Sequence, residues 1–196
     1  MTDYIREKKE LHADWAKHLG LLLSQYEKLC KERSISPHDT FEVTLLISVL
    51  QSLLTNFYEN NDLSNQNFSG TSKQTIIDWG IEHSMIVKDS FRQSGSFPTI
   101  EDCFFHLRHS LSHPLGTNGE VERPFTGFST TKDQDGLIKS VIFKHSPDIK
   151  TIEDKVKPDP RIFVLELPIA VLRILTIRLS QELSGRNPVC RSDNSL

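Results

Sequence analysis

Hydrophobic residues recur at helical spacing through the first three-fifths of the chain. Apolar positions three and four residues apart, with charged residues between them, predict amphipathic helices at residues 4–32, 37–58, 72–93 and 99–113. The apolar face of the second segment, residues 41–57, is too wide to be covered by one neighbour. This helix is therefore predicted to lie in the core or at an interface rather than beside a ligand pocket.

Beyond Pro114 the helical spacing gives way to short segments rich in Val, Ile, Thr and Phe. Three short segments of this kind predict β-strands, and helical spacing returns in one final segment. The Asp135-Gly136 pair separates the first two strands and is typical of a tight hairpin turn. The predicted elements are strands at residues 125–131, 137–145 and 161–167 and a last helix at residues 168–183.

This order of elements predicts a mainly α protein. We expect a single domain over residues 1–196, built as an antiparallel helical bundle. A small antiparallel β-hairpin or sheet is inserted at about residues 121–167, before the last helix. Residues 60–71, rich in Asn and Ser, are predicted to be a loop, and residues 184–196 a tail.

The composition is typical of a soluble globular protein, with 37% hydrophobic and 25% charged residues. The formal net charge of -3 argues against broad, non-specific binding to DNA but leaves room for a small basic cleft. Cys30, Cys103 and Cys190 are too widely spaced for a disulfide framework or a zinc motif. We see no apolar signal core and no apolar stretch of membrane-spanning length, and therefore expect a cytoplasmic protein.

The fourth predicted helix separates an apolar stripe from a group of polar side chains. Thr99 is suited to cap its start, and Pro114 ends it. At about 100° per residue, four apolar residues fall on one face and predict an anchoring stripe, while Phe105 lies among the polar residues. The anchoring stripe consists of Ile100, Phe104, Leu107 and Leu111. The displayed polar group consists of Arg108, His109, Ser112 and His113.

Arg108 and His113 combine two properties that cleavage of a phosphodiester requires. The imidazole of His113 titrates near neutral pH and can transfer a proton in a transition state. The guanidinium of Arg108 stays charged, and its planar fork fits phosphate oxygens. When RNA is cleaved by its own 2′-hydroxyl, proton transfer and stabilisation of the phosphoryl charge suffice, so no metal is obligatory. The two residue types permit this chemistry without requiring it.

The sequence from Arg108 to His113 resembles the motif of HEPN-domain proteins, in which Arg and a polar residue are followed by three residues and His. The setting is also similar, because the motif ends a helix that follows other helices. The resemblance implies a HEPN-like helical bundle and a metal-independent endoribonuclease with no cofactor. Arg108 and His113 would be catalytic, and His109 and Ser112 would bind RNA or support the site.

The same resemblance implies partners and a biological role. Many HEPN proteins are homodimers in which motifs from both protomers form one cleft, and many act as toxins or in phage defence beside an antitoxin. Two features depart from the family. The second motif position, often Asn, is His109, and a Tyr that some toxins carry two residues after the motif His is Leu115. The second departure argues against control by modification at that position.

Other interpretations of these residues remain open. Arg108 and His113 could each take part in a surface ion pair with an acidic group or interact with the helix C-terminus, in a non-catalytic module that binds RNA, a nucleotide or a protein. His106, His109 and His113 have spacings of three and four, with Cys103 nearby, which is compatible with a metal site. No carboxylate partner is evident for such a site, so we predict no metal.

Several charged residues elsewhere in the chain are candidates for an extended site. A phosphate-binding surface could be extended by Arg161, Arg173 and Arg178. The usual alternative is that such arginines simply lie on a solvated face. Glu42 and Glu59 are candidate acidic partners for the catalytic histidine. Nothing in the sequence places either carboxylate near it.

Overall fold

A computed structural model of the protein describes residues 2–33, 40–59, 75–93, 96–112, 126–146, 151–152, 155–156 and 161–185. Within these residues, α-helices pack against an antiparallel β-sheet. The helices are α1 (Thr2–Arg33), α2 (Thr40–Glu59), α3 (Ile100–Ser112) and α4 (Ile169–Leu183). The strands of the sheet are β1 (Ile86–Asp89), β2 (Gly127–Lys132), β3 (Ile138–His145) and β6 (Phe163–Pro168). A separate short pair is formed by β4 (Thr151–Ile152) and β5 (Lys155–Val156).

The prediction of a mainly α, HEPN-like helical bundle is wrong, because the described chain forms a mixed α/β fold. The strand order is β1-β6-β3-β2, and every neighbouring pair is antiparallel. The sheet is not a peripheral insert. It contributes Val141, Phe143, Phe163, Leu165 and Leu167 to the same hydrophobic core as the helices.

The third predicted helix, at residues 72–93, is also wrong. From residue 75 the chain forms two 3-10 helices, Ile76–Trp79 and His83–Met85, and then strand β1, which pairs with β6. Gly80 ends the first of these helices with φ of 77°, a left-handed conformation that a continuing helix cannot contain. Hydrogen bonding of β1 to a central strand therefore outweighed a sequence spacing that is equally compatible with a helix.

The remaining predictions for helices and strands agree with the structure within about two residues where the chain is described. Helix α1 approaches α4 closely at Gly20, where a Cβ atom would lie 2.6 Å from Ser180 Oγ. None of the described helices is long and apolar enough to cross a membrane. The predicted helix start at residue 37, the loop at 60–71 and most of the tail lie outside the described residues.

Successive side chains of β3 and β6 point to opposite sides of the sheet, and one of these sides faces the core. Helix α3 packs on β3 and β2, and α4 packs on β3 and β6. Three facing pairs on the two central strands are buried: Val141–Leu167, Phe143–Leu165 and His145–Phe163. The third pair places a titratable side chain, His145, in the same alternating phase as core residues, where it meets α3.

Candidate active site on helix α3

The start of α3 is held by a reciprocal cap and by two ion pairs. The Thr99 N–H donates to Asp102 Oδ2 at 3.1 Å, and the Asp102 N–H donates to Thr99 Oγ1 at 3.2 Å. Arg92 contacts the carboxylate of Asp102 at 2.9 Å and that of Asp89 at 2.6 Å. Burial opposes ionisation of Asp102, but hydrogen bonds from Thr99 and Arg92 outweigh it and lower the pKa. These contacts confirm the Thr99 cap and join β1 to the helix.

The predicted apolar stripe of α3 is confirmed. All four of its residues are buried, and Phe104 makes edge contacts with Trp79 at 5.3 Å and Phe57 at 6.1 Å between ring centroids. Cys103 is buried beside the stripe, and burial raises the pKa of its thiol to about 12. At neutral pH this thiol is protonated, so it is not a ready nucleophile.

His106 lies at the boundary between α3 and the sheet. It is 3% exposed, and its Nδ1 is 2.7 Å from Nδ1 of His145, which is 5% exposed. One ring must carry a proton on Nδ1 and the other must leave that nitrogen bare to accept it. Burial, followed by the positive charge of Arg92, lowers the pKa of His106 to about 4. His106 is therefore neutral at physiological pH.

Aromatic rings enclose the two histidines. His106 stacks on Phe163 with centroids 4.2 Å apart and planes within 14°. His145 is nearly parallel to Phe91, at 5.7 Å and 14°, and to His109, at 4.6 Å and 10°. We name the pair His106 and His145 the buried histidine pair, because its position and contacts make it a joint between helix and sheet rather than a group open to substrate.

Arg108 points in another direction, towards α2. Its guanidinium carbon lies 5.2 Å from the centroid of the Tyr58 ring, a favourable cation–π arrangement. The Tyr58 hydroxyl donates to the main-chain oxygen of Glu101 at 3.0 Å, which holds the ring in place. Burial and then the charge of Glu101 raise the pKa of Tyr58, while Arg108 works in the opposite direction. Tyr58 is thus a neutral platform for the arginine.

The polar group predicted to be displayed as one unit divides between two neighbours. Arg108 contacts α2, whereas His109 contacts His145 of β3 and the ring of Phe105, whose centroid is 4.5 Å away. Phe105 is 42% exposed, as its place in the polar arc predicted, and Ser112 is exposed at the end of α3. His113, the predicted partner of Arg108, lies outside the described residues.

Glu42, a candidate carboxylate, forms an ion pair with Arg173. It is 3% exposed and accepts a hydrogen bond from Arg173, which also lies 3.4 Å from Glu27. The ion pairs connect α4 to α1 and α2. The side chain of Glu59, the other candidate carboxylate, lies outside the described residues.

The other two arginines considered for phosphate binding also pack against aromatic rings. Arg178 lies 4.3 Å from the centroid of Trp79 and donates to the main-chain oxygen of Asp78. Arg161 lies 5.3 Å from the centroid of Phe91. With Arg173 bound to carboxylates, the three arginines have separate neighbours, and these contacts offer no evidence for the extended phosphate-binding surface.

Among the described residues, no three His, Cys, Asp or Glu side chains are arranged to hold a metal ion. Of the three histidines considered for such a site, His106 and His109 are described, and His113 is not. The rings of His109 and His145 are nearly parallel, so their in-plane lone pairs do not converge on one point. His106 already uses Nδ1 in the buried histidine pair.

Two neighbours of the motif helix, His145 and Tyr58, were not identified from the sequence as parts of the site. The signal for His145 was its alternation with Val141 and Phe143 in a predicted strand, which places all three on the buried side. Tyr58 closes the wide apolar face of α2, but its contact with Arg108 depends on how α2 and α3 pack. No local pattern carries that information.

Comparisons with known proteins add no family assignment for this chain. The family models, the curated proteins and the solved structures gave no match. The residues of α3 and the motif that they begin are therefore the features of this chain that point to a function.

Proposed function

We propose that the protein is a metal-independent endoribonuclease that cleaves RNA by attack of a 2′-hydroxyl on the adjacent phosphate. The observation that carries the proposal is the Arg108-to-His113 motif at the C-terminal end of α3. The resemblance to HEPN proteins is confined to this motif and its helix, since the mixed α/β fold differs from a helical bundle. The motif chemistry does not require the rest of that bundle.

In the proposed reaction, Arg108 binds the scissile phosphate and stabilises the negative charge that grows on its oxygens. Its stacking on Tyr58 restricts the guanidinium, which lowers the entropy lost when it orients a phosphate. His113 transfers a proton as general base or general acid. The 2′-oxygen displaces the 5′-oxygen, so the products are a 2′,3′-cyclic phosphate and a 5′-hydroxyl.

His109 and Ser112 would support this site. His109 is half-buried beside the exposed ring of Phe105, and Ser112 is exposed one residue before His113. An imidazole and a hydroxyl at these positions can donate hydrogen bonds to RNA. By the same resemblance we propose a homodimer with a composite cleft, a role as a toxin or phage-defence effector, and an antitoxin partner.

The direct test is to incubate the purified protein with single-stranded RNA in the presence of EDTA and to map the RNA ends. Arg108→Ala and His113→Ala should each lower the cleavage rate by about 100-fold or more. Arg33→Ala, at an exposed position at the end of α1, is the matched control and should cleave normally. Cleavage that survives both motif substitutions, or that EDTA abolishes, contradicts the proposal.

A second candidate is a non-catalytic module that binds RNA, a nucleotide or a protein. It is favoured by the packing of Arg108 on Tyr58 and by the buried histidine pair, which leaves His106 and His145 without access to substrate. Both arrangements suit recognition as well as catalysis. Tight binding of RNA by the wild-type protein, weakened by Arg108→Ala and with no cleavage over a broad panel of RNAs, would favour this candidate.

A further inference from the structure

Helix α1 carries two different apolar stripes. One stripe is buried against the body of the protein and repeats every seven residues: Ala16, Leu23 and Cys30. The other lies about 100° around the helix and consists of large side chains that remain exposed. These side chains are Leu11, Trp15, Leu22 and Leu29, which are 65%, 50%, 44% and 39% exposed.

The exposed stripe follows the spacing of a coiled-coil seam. Alternating steps of four and three residues give the seam Leu11, Trp15, His18, Leu22, Gln25 and Leu29. At 1.5 Å per residue it extends for about 27 Å. His18 is one of two polar residues in the seam, with Gln25. Its Nδ1 lies 2.7 Å from the main-chain oxygen of Asp14, so part of its hydrogen-bonding capacity is already satisfied.

The charges that flank the seam are self-complementary in one orientation only. Asp14, Leu21 and Lys28 are exposed and lie seven residues apart along the same edge. In an antiparallel pair of α1 helices centred on Leu21, each Asp14 faces Lys28 of the other copy and the two Leu21 side chains meet. A parallel pair would instead place Trp15 against Trp15 and His18 against His18, and would leave both ion pairs unmade.

We infer that α1 pairs in antiparallel orientation with α1 of a second copy of this chain. The seam and Leu21 offer on the order of 500 Å² of exposed apolar surface per copy, a patch of the size that marks an interaction site. Lys28 is available for the pairing, because its bond to Glu32 is 3.7 Å long and both side chains are largely exposed. The interface lies on α1 and does not depend on the proposed nuclease chemistry of α3.

The first test is the mass of the full-length protein in solution, measured by light scattering over a range of concentrations. The wild type should be a dimer, and Leu22→Glu, at the middle of the seam, should be a monomer. Ser24→Glu is the matched control, because it adds the same charge to an exposed position of α1 outside the seam. A monomeric wild type, or a dimer that Leu22→Glu leaves intact, overturns the inference; circular dichroism verifies that both variants are folded.

A second measurement keeps the orientation falsifiable even if Leu22→Glu fails to fold. Asp14→Lys should weaken the dimer roughly tenfold, and adding Lys28→Asp should restore it. In a Cys190→Ser background, Leu21→Cys should form an intermolecular disulfide on oxidation, whereas Trp15→Cys should not. The reverse cross-linking result, or no rescue by the double charge reversal, overturns the antiparallel arrangement.

The RNA cleavage assay separates this interface from the proposed function. Loss of the dimer in Leu22→Glu supports the α1 interface whether or not RNA is cleaved. Loss of cleavage in His113→Ala, with the dimer intact, supports the nuclease assignment independently. A monomeric Leu22→Glu that retains full cleavage would support the interface while arguing against a catalytic cleft shared between protomers.

Discussion

Helix α3 presents two histidines, three residues apart, to opposite environments. His106 is buried, bonded to His145 and stacked on Phe163, and burial holds its pKa at about 4. His109 is half-buried beside exposed Phe105. The same imidazole is thus a neutral, buried group at one position and a half-buried group beside an exposed ring at the other. Residue type alone does not assign a role.

The two ends of helix α3 also differ in the contacts of their polar side chains. The N-terminal end is anchored by Thr99, Asp102 and Arg92, while the C-terminal end carries Arg108 and Ser112 near the motif histidine. The polar groups of Thr99 and Asp102 bond to one another, and so do those of the buried histidine pair. These groups therefore stabilise the helix rather than bind a substrate. We expect substitutions in the buried half to change stability, and substitutions at the C-terminal end to change activity.

His113→Ala should give the largest separation between these two effects. Removal of the proposed acid–base group should lower the rate of RNA cleavage by about 10²- to 10⁴-fold, the usual contribution of a positioned proton-transfer group. The melting temperature should stay close to that of the wild type. A loss of cleavage that merely parallels a loss of folded protein in circular dichroism would contradict a catalytic role.

His106→Ala should show the opposite behaviour, with a free energy of unfolding lowered by about 2–4 kcal/mol. The substitution leaves a cavity against Phe163 and removes the hydrogen bond between His106 and Nδ1 of His145. Denaturant unfolding measures the loss, and cleavage per folded molecule should be retained. If His106→Ala and His145→Ala have fully additive effects, the two residues do not act as a bonded pair.

Acidification should destabilise the fold through His106. Its folded pKa of about 4 is lower than the ordinary 6.5, so between these values the unfolded chain binds a proton that the folded chain does not. This contribution to stability is complete above pH 6.5 and is lost as the pH falls towards 4, with a slope of at most about 1.4 kcal/mol per pH unit.

Replacement of His106 by Phe should flatten this part of the profile, whereas Lys139→Gln, at an exposed position of β3, should not. Urea unfolding measured from pH 7.5 to pH 4 distinguishes the variants. An unchanged slope in His106→Phe would show that other groups account for the acid sensitivity.

Tyr58→Leu should have the smallest effect. It removes the aromatic platform of Arg108, a contact worth about 0.5–1 kcal/mol, and should slow RNA cleavage roughly two- to fivefold. Tyr58→Phe keeps the ring and loses only the hydrogen bond to Glu101, so it should cleave normally. Equal rates in Tyr58→Leu and the wild type would show that Arg108 does not need this neighbour.

Local patterns along the chain were sufficient to predict much of the secondary structure. The apolar stripe of α3 and the Thr99 cap are confirmed, and so is the turn at Gly136, whose φ is 82°. These features depend on residues within one or two turns of each other. Periodicity and capping chemistry therefore predict them without knowledge of distant contacts.

The fold class could not be predicted in the same way. The spacing of Ile77, Ile81 and Met85 is helical. The segment nevertheless forms 3-10 helices and strand β1, because β6, more than 70 residues away along the chain, supplies hydrogen bonds to β1. A short apolar run is compatible with helix and strand alike, and long-range pairing decides between them. That pairing completes a four-stranded sheet and makes the fold mixed α/β.

For the candidate site, the sequence by itself determined that the apolar stripe of α3 is buried, because a helical repeat assigns the side chains to separate faces. Only the tertiary structure decided what those faces meet. The packing of α3 against β3 joined His106 to His145, and its packing against α2 placed Arg108 over Tyr58. These contacts join residues 39 and 50 positions apart along the chain, and their geometry depends on how whole elements pack rather than on any local pattern.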